Sequence, residues 1–345
     1  MSNRAAWITE AKAHPFVVKE ADMPKPGADE VVIKNHAVAI NPVDWKVQAT
    51  GFFIQKYPMI LGTDVAGEIH QVGSNVTNFK KGDRVLGHVF SLVTSSPSDG
   101  AFQLFSRCTA LATSKIPASI PYPSAAVLPL SISTAAALLF KRETLAITPP
   151  TTTTSSPPAQ NAESSVLVWG GSSSVGCSAI QLAAGAGVRV VSVASSKNVG
   201  KLRELGAVAA FDYNSSSVVQ DIVEALQGTR FMGVADCIGT PESTKAWTPV
   251  FEKLGGRYGT VMPDTSGLGL PAGIEGGPVF APSVVLKDTY VGEAVWGKYV
   301  PEALEKGVFK CAPEPTVIEG GLEKVQEATD LLKKGVSYGK IVVAL

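Results

Sequence analysis

Four apolar residues, Val166-Leu167-Val168-Trp169, run straight into Gly170-Gly171-Ser172-Ser173-Ser174-Val175-Gly176 and then into Cys177-Ser178-Ala179-Ile180-Gln181-Leu182-Ala183-Ala184. The pattern predicts a buried strand, a tight turn of small residues, and a helix over 175–184. A helix begun by such a turn aims unpaired backbone N–H groups and the positive end of its dipole at whatever lies above it. A pyrophosphate suits both. Few chain organisations accommodate this order, and the leading one is a parallel sheet with helices on its faces.

The residues that follow repeat the alternation. Strand 189–194, helix 199–205, a strand end at 209–212, helix 218–226, strand 233–237, helix 243–254 and strand 256–261 are each predicted from apolar runs or helical periodicity. Continuous apolar strands between amphipathic helices indicate an α/β, doubly wound parallel sheet. Residues before about 123 read instead as short strands, for example 30–34, 64–72 and 84–89, with turns at Gly73-Ser74-Asn75 and Lys81-Gly82-Asp83. That spacing suits a compact antiparallel β-barrel or sandwich. An Ala- and Leu-rich helix is expected over 124–140, and the run Thr148 to Pro158 reads as a flexible surface loop with no apolar anchor. Beyond about Gly277 the chain reverts to strands and two helices, 297–306 and 322–334, and ends in strand 340–344. The expected partition is 1–124 for the first domain, 125–277 for the nucleotide-type domain, and 278–345 as a return to the first.

With 45% hydrophobic and 17% charged residues in 345, two sizeable cores are affordable and a disordered chain is excluded. Thirty basic and thirty acidic side chains leave no net field for nucleic acid or an anionic membrane. Cys108, Cys177, Cys237 and Cys311 form no CxxC pair, which argues against a disulfide framework. No signal peptide is recognisable, and the most apolar window, 125–140, is broken by Pro129, Ser131, Ser133 and Thr134 and reads as too short for a bilayer. The expectation is a soluble cytoplasmic protein.

The turn departs from GxGxxG. Gly171 and Gly176 hold the first and last positions, and Ser173 holds the middle one, where its hydroxyl can add a donor for phosphate. Ser172, Ser174 and Val175 supply further backbone. The next strand ends Val193-Ala194-Ser195-Ser196-Lys197, with no carboxylate before Glu204. An NAD site places an acid there for the ribose 2′-hydroxyl. Hydroxyls at Ser195 and Ser196 and the ammonium of Lys197 suit a 2′-phosphate instead. Tyr213, past the third strand, is placed to cover it. The expected cofactor is NADPH.

Further motifs join this one. Asn41-Pro42-Val43-Asp44-Trp45-Lys46, Leu61-Gly62-Thr63-Asp64-Val65-Ala66-Gly67-Glu68, Val72-Gly73, Gly82-Asp83-Arg84-Val85 and Gly339-Lys340-Ile341-Val342-Val343 resemble the medium-chain dehydrogenase/reductase superfamily nearly end to end. Within it the chain is most similar to the zinc-independent quinone oxidoreductase and enoyl reductase-like branch, which includes fungal CipB-like proteins and trans-acting enoyl reductases. The resemblance implies a GroES-like barrel, a Rossmann domain, and a cleft where NADPH meets substrate. Gly239 and Lys340 complete the expected cofactor set. Zinc alcohol dehydrogenases carry a zinc cysteine where this chain has Asn41, and a Gly-His-Glu run where it has Gly62-Thr63-Asp64. Their four-cysteine lobe is missing, and His14, His36, His70 and His88 have no paired spacing, so no metal is expected.

Without a Lewis acid, hydride transfer to an activated C=C of an enone, enoyl thioester or quinone is the expected reaction. By resemblance, Asn41 and Asp44 face the cleft, Lys46 is a candidate donor of a hydrogen bond or proton, and Thr134 lies under the nicotinamide. Asp44 has an alternative role as a cap on the turn after Pro42. Apolar segments at 50–54 and 262–280 favour a small but bulky apolar substrate, free or presented by a carrier protein or polyketide synthase. A monomer or homodimer is expected. A non-redox lyase or isomerase and a noncatalytic nucleotide-binding protein are the alternatives.

Overall fold

The structure, a computed structural model, describes residues 2–150, 152–153 and 156–345. The chain forms two compact units, one of residues 1–130 and 311–345 and the other of 131–310.

The first unit begins with β1 (Asn3–Ile8), β2 (Val17–Ala21), β3 (Glu30–Ala39), β4 (Met59–Ile60), β5 (Asp64–Val72), β6 (Arg84–His88), β7 (Phe105–Thr109) and β8 (Thr113–Lys115). Strands β2-β1-β4 make an antiparallel sheet, while β3, β5, β6 and β8 pair in that order with β7 also on β3. β5 coincides with the predicted strand 64–72, whereas β3 runs five residues past the predicted 30–34. The segment after Pro42 is a helix, Pro42–Thr50, where the sequence suggested only a turn.

The second unit contains β9 (Ser164–Trp169), β10 (Arg189–Ala194), β11 (Ala209–Asp212), β12 (Arg230–Asp236), β13 (Arg257–Thr260) and β14 (Glu275–Pro278). All pair in parallel, in the order β11-β10-β9-β12-β13-β14. β9 is buried at every residue, as its unbroken apolar run requires of a central parallel strand. Leu167, Trp169, Val191, Val193 and Val234 form one core with Val218, Ile222 and Leu226 of helix Val218–Leu226 and with Trp247 and Val250 of helix Pro241–Leu254.

The return to the first unit comes at Cys311, not at the expected 278. β14 adds a sixth strand, and the helices after it pack inside the second unit. There Tyr290 Oη donates to the Phe140 carbonyl at 3.0 Å, Trp296 Nε1 to Ser133 Oγ at 3.0 Å, and Lys141 Nζ lies 3.2 Å from Asp288. Likewise the first break falls after Leu130, within helix Pro129–Phe140, where 124 was expected. The stretch Tyr122–Phe140 is in fact long and apolar enough to cross a membrane, but 83% of its 18-residue apolar window is buried inside the protein. That burial is the pattern of a core helix.

Of the 148–158 run, residues 151, 154 and 155 lie outside the described residues. The run carries a polar anchor instead of an apolar one: Thr153 Oγ1 donates to Glu302 at 2.5 Å, and Lys306 Nζ bonds both, at 2.8 Å to Thr153 and 2.6 Å to Glu302. The chain then closes the first unit with β15 (Pro315–Ile318) and β16 (Lys340–Ala344), which extends the larger sheet by pairing antiparallel with β3.

Candidate active site

In the second unit, Gly170 turns the chain off β9 at a φ of +79°, in the left-handed region open to glycine. Ser173 caps helix Ser174–Gly185: its Oγ accepts from the Gly176 N–H at 3.0 Å and donates to the Gly170 carbonyl at 2.9 Å. That corrects its expected role, because the hydroxyl proton is engaged inside the turn and is not offered to a phosphate. Gly171 and Gly176 are also internal, the Gly171 N–H bonding the Val193 carbonyl at 2.9 Å. A Cβ on Gly176 would stand 2.3 Å from the Gly170 oxygen and 2.6 Å from Gly171 Cα, so this position admits only hydrogen. Among the described residues, the N–H groups of Ser174 and Val175 have no protein acceptor, as the first two of a helix must lack one inside it. Ser172, Ser174 and Val175 are half-buried, leaving these donors approachable.

β10 ends beside this turn, with Ser195 half-buried and Ser196 and Lys197 exposed. The Tyr213 N–H donates to the Ala194 carbonyl at 3.1 Å, which brings the half-exposed Tyr213 alongside. Asp212, opposite Ala194 in register, is the nearest acid on the adjoining strand; its carboxylate accepts from Asn214 N at 3.0 Å and Nδ2 at 3.1 Å. Beyond β12, the Gly239 N–H is taken by Asp236 Oδ1 at 3.0 Å. Asp236 also accepts from Ile238 N at 3.0 Å, Ser243 Oγ at 3.0 Å and Trp247 Nε1 at 3.2 Å. This buried carboxylate shapes the whole turn. Thr134 lies buried in helix Pro129–Phe140.

The first unit holds a separate buried polar cluster. Asn41 caps helix Pro42–Thr50, and its backbone N–H donates to Asp44 Oδ2 at 2.7 Å. The Asn41 side-chain amide donates to Thr63 Oγ1 at 3.0 Å and Asp64 Oδ2 at 2.8 Å. Lys340 Nζ donates to Asn41 Oδ1 at 2.5 Å and sits 3.1 Å from Asp64 Oδ2. The other Asp64 oxygen accepts from the Leu130 N–H at 2.6 Å. His88 faces Asp64 across the β5–β6 pair; burial holds its imidazole at about 4, against the pull of Asp64 and with a smaller push from Lys340. Lys46, by contrast, is exposed, its ammonium 5.7 Å from the Trp45 ring centre.

Residues 27–117 match the alcohol dehydrogenase GroES-like domain, and residues 174–258 match the domain described as zinc-binding dehydrogenase. The chain is 42% identical to the trans-enoyl reductase himH of Aspergillus japonicus, over 99% of this chain and 97% of that protein. It is 41% identical to cipB of Emericella nidulans, described as a zinc-binding alcohol dehydrogenase domain-containing protein, over 100% of this chain and 99% of the relative. The chain belongs to the medium-chain dehydrogenase/reductase superfamily. Its fold agrees: a quinone oxidoreductase of Pseudomonas syringae pv. tomato DC3000, at 20% identity, covers 100% of both chains with a TM-score of 0.71. Members of the superfamily are oxidoreductases that use nicotinamide cofactors.

In this medium-chain reductase several site residues expected from sequence do other work. Lys340 was expected at the cofactor; it is buried, and its ammonium is held by Asn41 and Asp64. Asn41 was expected to face the cleft; it is buried, and both its amide hydrogens are engaged within the protein. Asp44 is fully buried and acts as the alternative cap. Lys46 is not in the cluster. Asp236 and the Asp64–Lys340 pair were missed as organising groups, although each left a trace: a lone charge at the end or start of an apolar strand needs a buried partner.

Burial pushes the Asp44 carboxyl up to about 7, and Asp64 adds to the rise, while the Asn41 N–H, Lys340 and the Gly62 N–H oppose it. Because the folded value lies above the unfolded one, the unfolded state ionises first as pH rises. Stability should therefore fall from about pH 4 to about pH 7 and level off above. Urea unfolding of Asp44→Asn across that range is expected to show this component missing; an unchanged pH slope would refute the assignment.

Proposed function

We propose that this protein is an NADPH-dependent reductase of an activated C=C bond in an enone, enoyl thioester or quinone, working without zinc in a fungal secondary-metabolite pathway. The carrying observation is the Lys340–Asn41–Asp64–Thr63 cluster. By the resemblance, Asn41 and Thr63 stand where zinc-dependent relatives place metal ligands. Here the amide presents N–H groups, the Asp64 carboxylate is occupied by three donors, and an ammonium already supplies the cation. Such a set does not fit a divalent metal, which needs three available lone-pair ligands. A substrate whose developing charge spreads over a conjugated carbonyl needs less polarisation than a simple ketone.

The donors of the second unit fit a dinucleotide. Ser174 and Val175 would hold a pyrophosphate through backbone N–H groups, and Ser195, Ser196, Lys197 and Tyr213 would hold the 2′-phosphate. When bound, NADPH supplies a hydride. The chain's own task is to fix geometry and to stabilise charge on the substrate oxygen. By the resemblance the enoyl thioester is an acyl chain presented by a carrier protein, which a comparison of free and carrier-bound enoyl thioesters would test.

The test of the cofactor is Lys197→Ala. Removing one charge-assisted contact is expected to weaken NADPH roughly tenfold, with NADH unchanged. Fluorescence titration with both nucleotides decides it. Equal affinities for both in the wild type would remove the basis for NADPH, and absence of nucleotide oxidation across enones, quinones and enoyl thioesters would remove the reductase.

A further inference from the structure

The orientation of the Asn41 amide is dictated by its charged neighbours. Its Oδ1 faces the Lys340 ammonium at 2.5 Å, and an ammonium only donates. Its Nδ2 faces Asp64 Oδ2 at 2.8 Å, and both Asp64 oxygens accept. The amide cannot be flipped without setting N–H against N–H and lone pair against carboxylate. The second Nδ2 hydrogen therefore runs to Thr63 Oγ1, 3.0 Å away. Thr63 is an acceptor in that contact, and its own hydroxyl proton must point elsewhere. Among the described residues it meets no protein acceptor.

The group is also held still. Gly62 takes a φ of +88°, and a Cβ there would stand 2.5 Å from Phe102 Cδ1. The Val89 N–H donates to the Thr63 carbonyl at 2.9 Å, and the Ala101 N–H to the Gly62 carbonyl at 3.1 Å. Thr63 is the most accessible member of the cluster, 8% exposed against 3% for Asn41 and Lys340 and none for Asp44 and Asp64. A chain thus runs from a buried cation through a fixed amide to the hydroxyl of the least buried residue in the cluster, each bond polarising the next.

We propose that Thr63 is a catalytic hydrogen-bond donor to the carbonyl oxygen of the substrate, with Asn41 and Lys340 as its positioning residues. The inference rests on the reductase reading above. Hydride addition at the β-carbon moves the C=C electron pair onto the conjugated oxygen, NADPH leaving as NADP+. The resulting enolate accepts the Thr63 O–H hydrogen bond, then takes a proton from water at the α-carbon, and Thr63 keeps its own proton.

The test compares Thr63→Val, which keeps the shape and removes the hydroxyl, with Thr63→Ser, which keeps the hydroxyl. NADPH oxidation is followed with 2-cyclohexenone, a benzoquinone and crotonyl-pantetheine, alongside NADPH affinity by fluorescence. Thr63→Val is expected to lose roughly 100-fold in kcat with NADPH affinity unchanged, and Thr63→Ser to restore most of it. If Thr63→Val does not fold, Thr63→Ala takes its place. An active wild type with kcat retained in the hydroxyl-free variant overturns the assignment alone, as does an equal loss in Thr63→Ser. A wild type that binds NADPH but is inert on all three substrates overturns the reductase reading and the assignment with it.

Discussion

Lys340→Met is expected to destabilise the first unit by about 3–5 kcal/mol, the usual consequence of removing one partner from a buried ion pair. The ammonium sits 3.1 Å from Asp64 and 2.5 Å from Asn41; Lys340 is almost wholly buried and Asp64 completely so. Without it, Asp64 loses its one cationic partner among the ion pairs of the described residues and keeps the Asn41 amide and the Leu130 N–H as donors, and a carboxylate remains in a medium that cannot solvate it. Asn41 Oδ1 also loses its donor. The double variant Asp64→Asn with Lys340→Met is expected to recover part of the loss, since a neutral pair leaves no uncompensated charge. Urea unfolding followed by circular dichroism measures all three proteins. A wild-type midpoint in Lys340→Met would show that the pair does not hold the cluster together.

That cluster was also the part least legible beforehand. Asn41 and Lys340 are 299 residues apart in sequence, and no local pattern links a residue at the end of one strand to one at the start of another. Superfamily resemblance drew attention to Asn41, Asp44 and Lys340 but assigned them to substrate and cofactor. Physical chemistry reassigns them: charges this far from water are retained when they satisfy each other. Asp44 followed the simpler rule, with Pro42 at the first helical position and an acid two residues later bonding back to the cap.

The parallel sheet was legible because its inner strands β9 and β10 are buried almost throughout and so read as unbroken apolar runs. Strand 209–212 and helix 218–226 were placed as they are found. β14 escaped the same argument. Its residues, Glu275-Gly276-Gly277-Pro278, have no apolar run, and the strand is recognised only by its backbone pairing to β13. Gly276 adopts a φ of +140°, and a Cβ there would lie 2.0 Å from the Tyr258 oxygen. A glycine-rich edge without any apolar run is thus a strand made possible by missing side chains. Ser173 shows the converse. The position was recognised, but capping the helix claimed the hydroxyl before any ligand could.

Gly176→Val is expected to cost the second unit roughly 3 kcal/mol or more and to abolish tight nucleotide binding. The first atoms a side chain would meet are the Gly170 oxygen at 2.3 Å and Gly171 Cα at 2.6 Å, both backbone, so no rotamer change relieves the clash. To admit a Cβ, helix Ser174–Gly185 must move away from the end of β9. That motion breaks the 3.0 Å bond from the Gly176 N–H to Ser173 and turns the Ser174 and Val175 donors off their common direction. Gly200→Ala is the control: the glycine lies in helix Val199–Glu204 with nothing within 4 Å of a built Cβ. Alanine there should gain about 0.5–1 kcal/mol through helix propensity. Thermal unfolding and NADPH fluorescence titration of both variants separate a general effect of replacing glycine from the specific closeness of this turn. Wild-type melting and wild-type affinity in Gly176→Val would show that the turn can open without loss, and the phosphate-binding assignment would then lack its geometric basis.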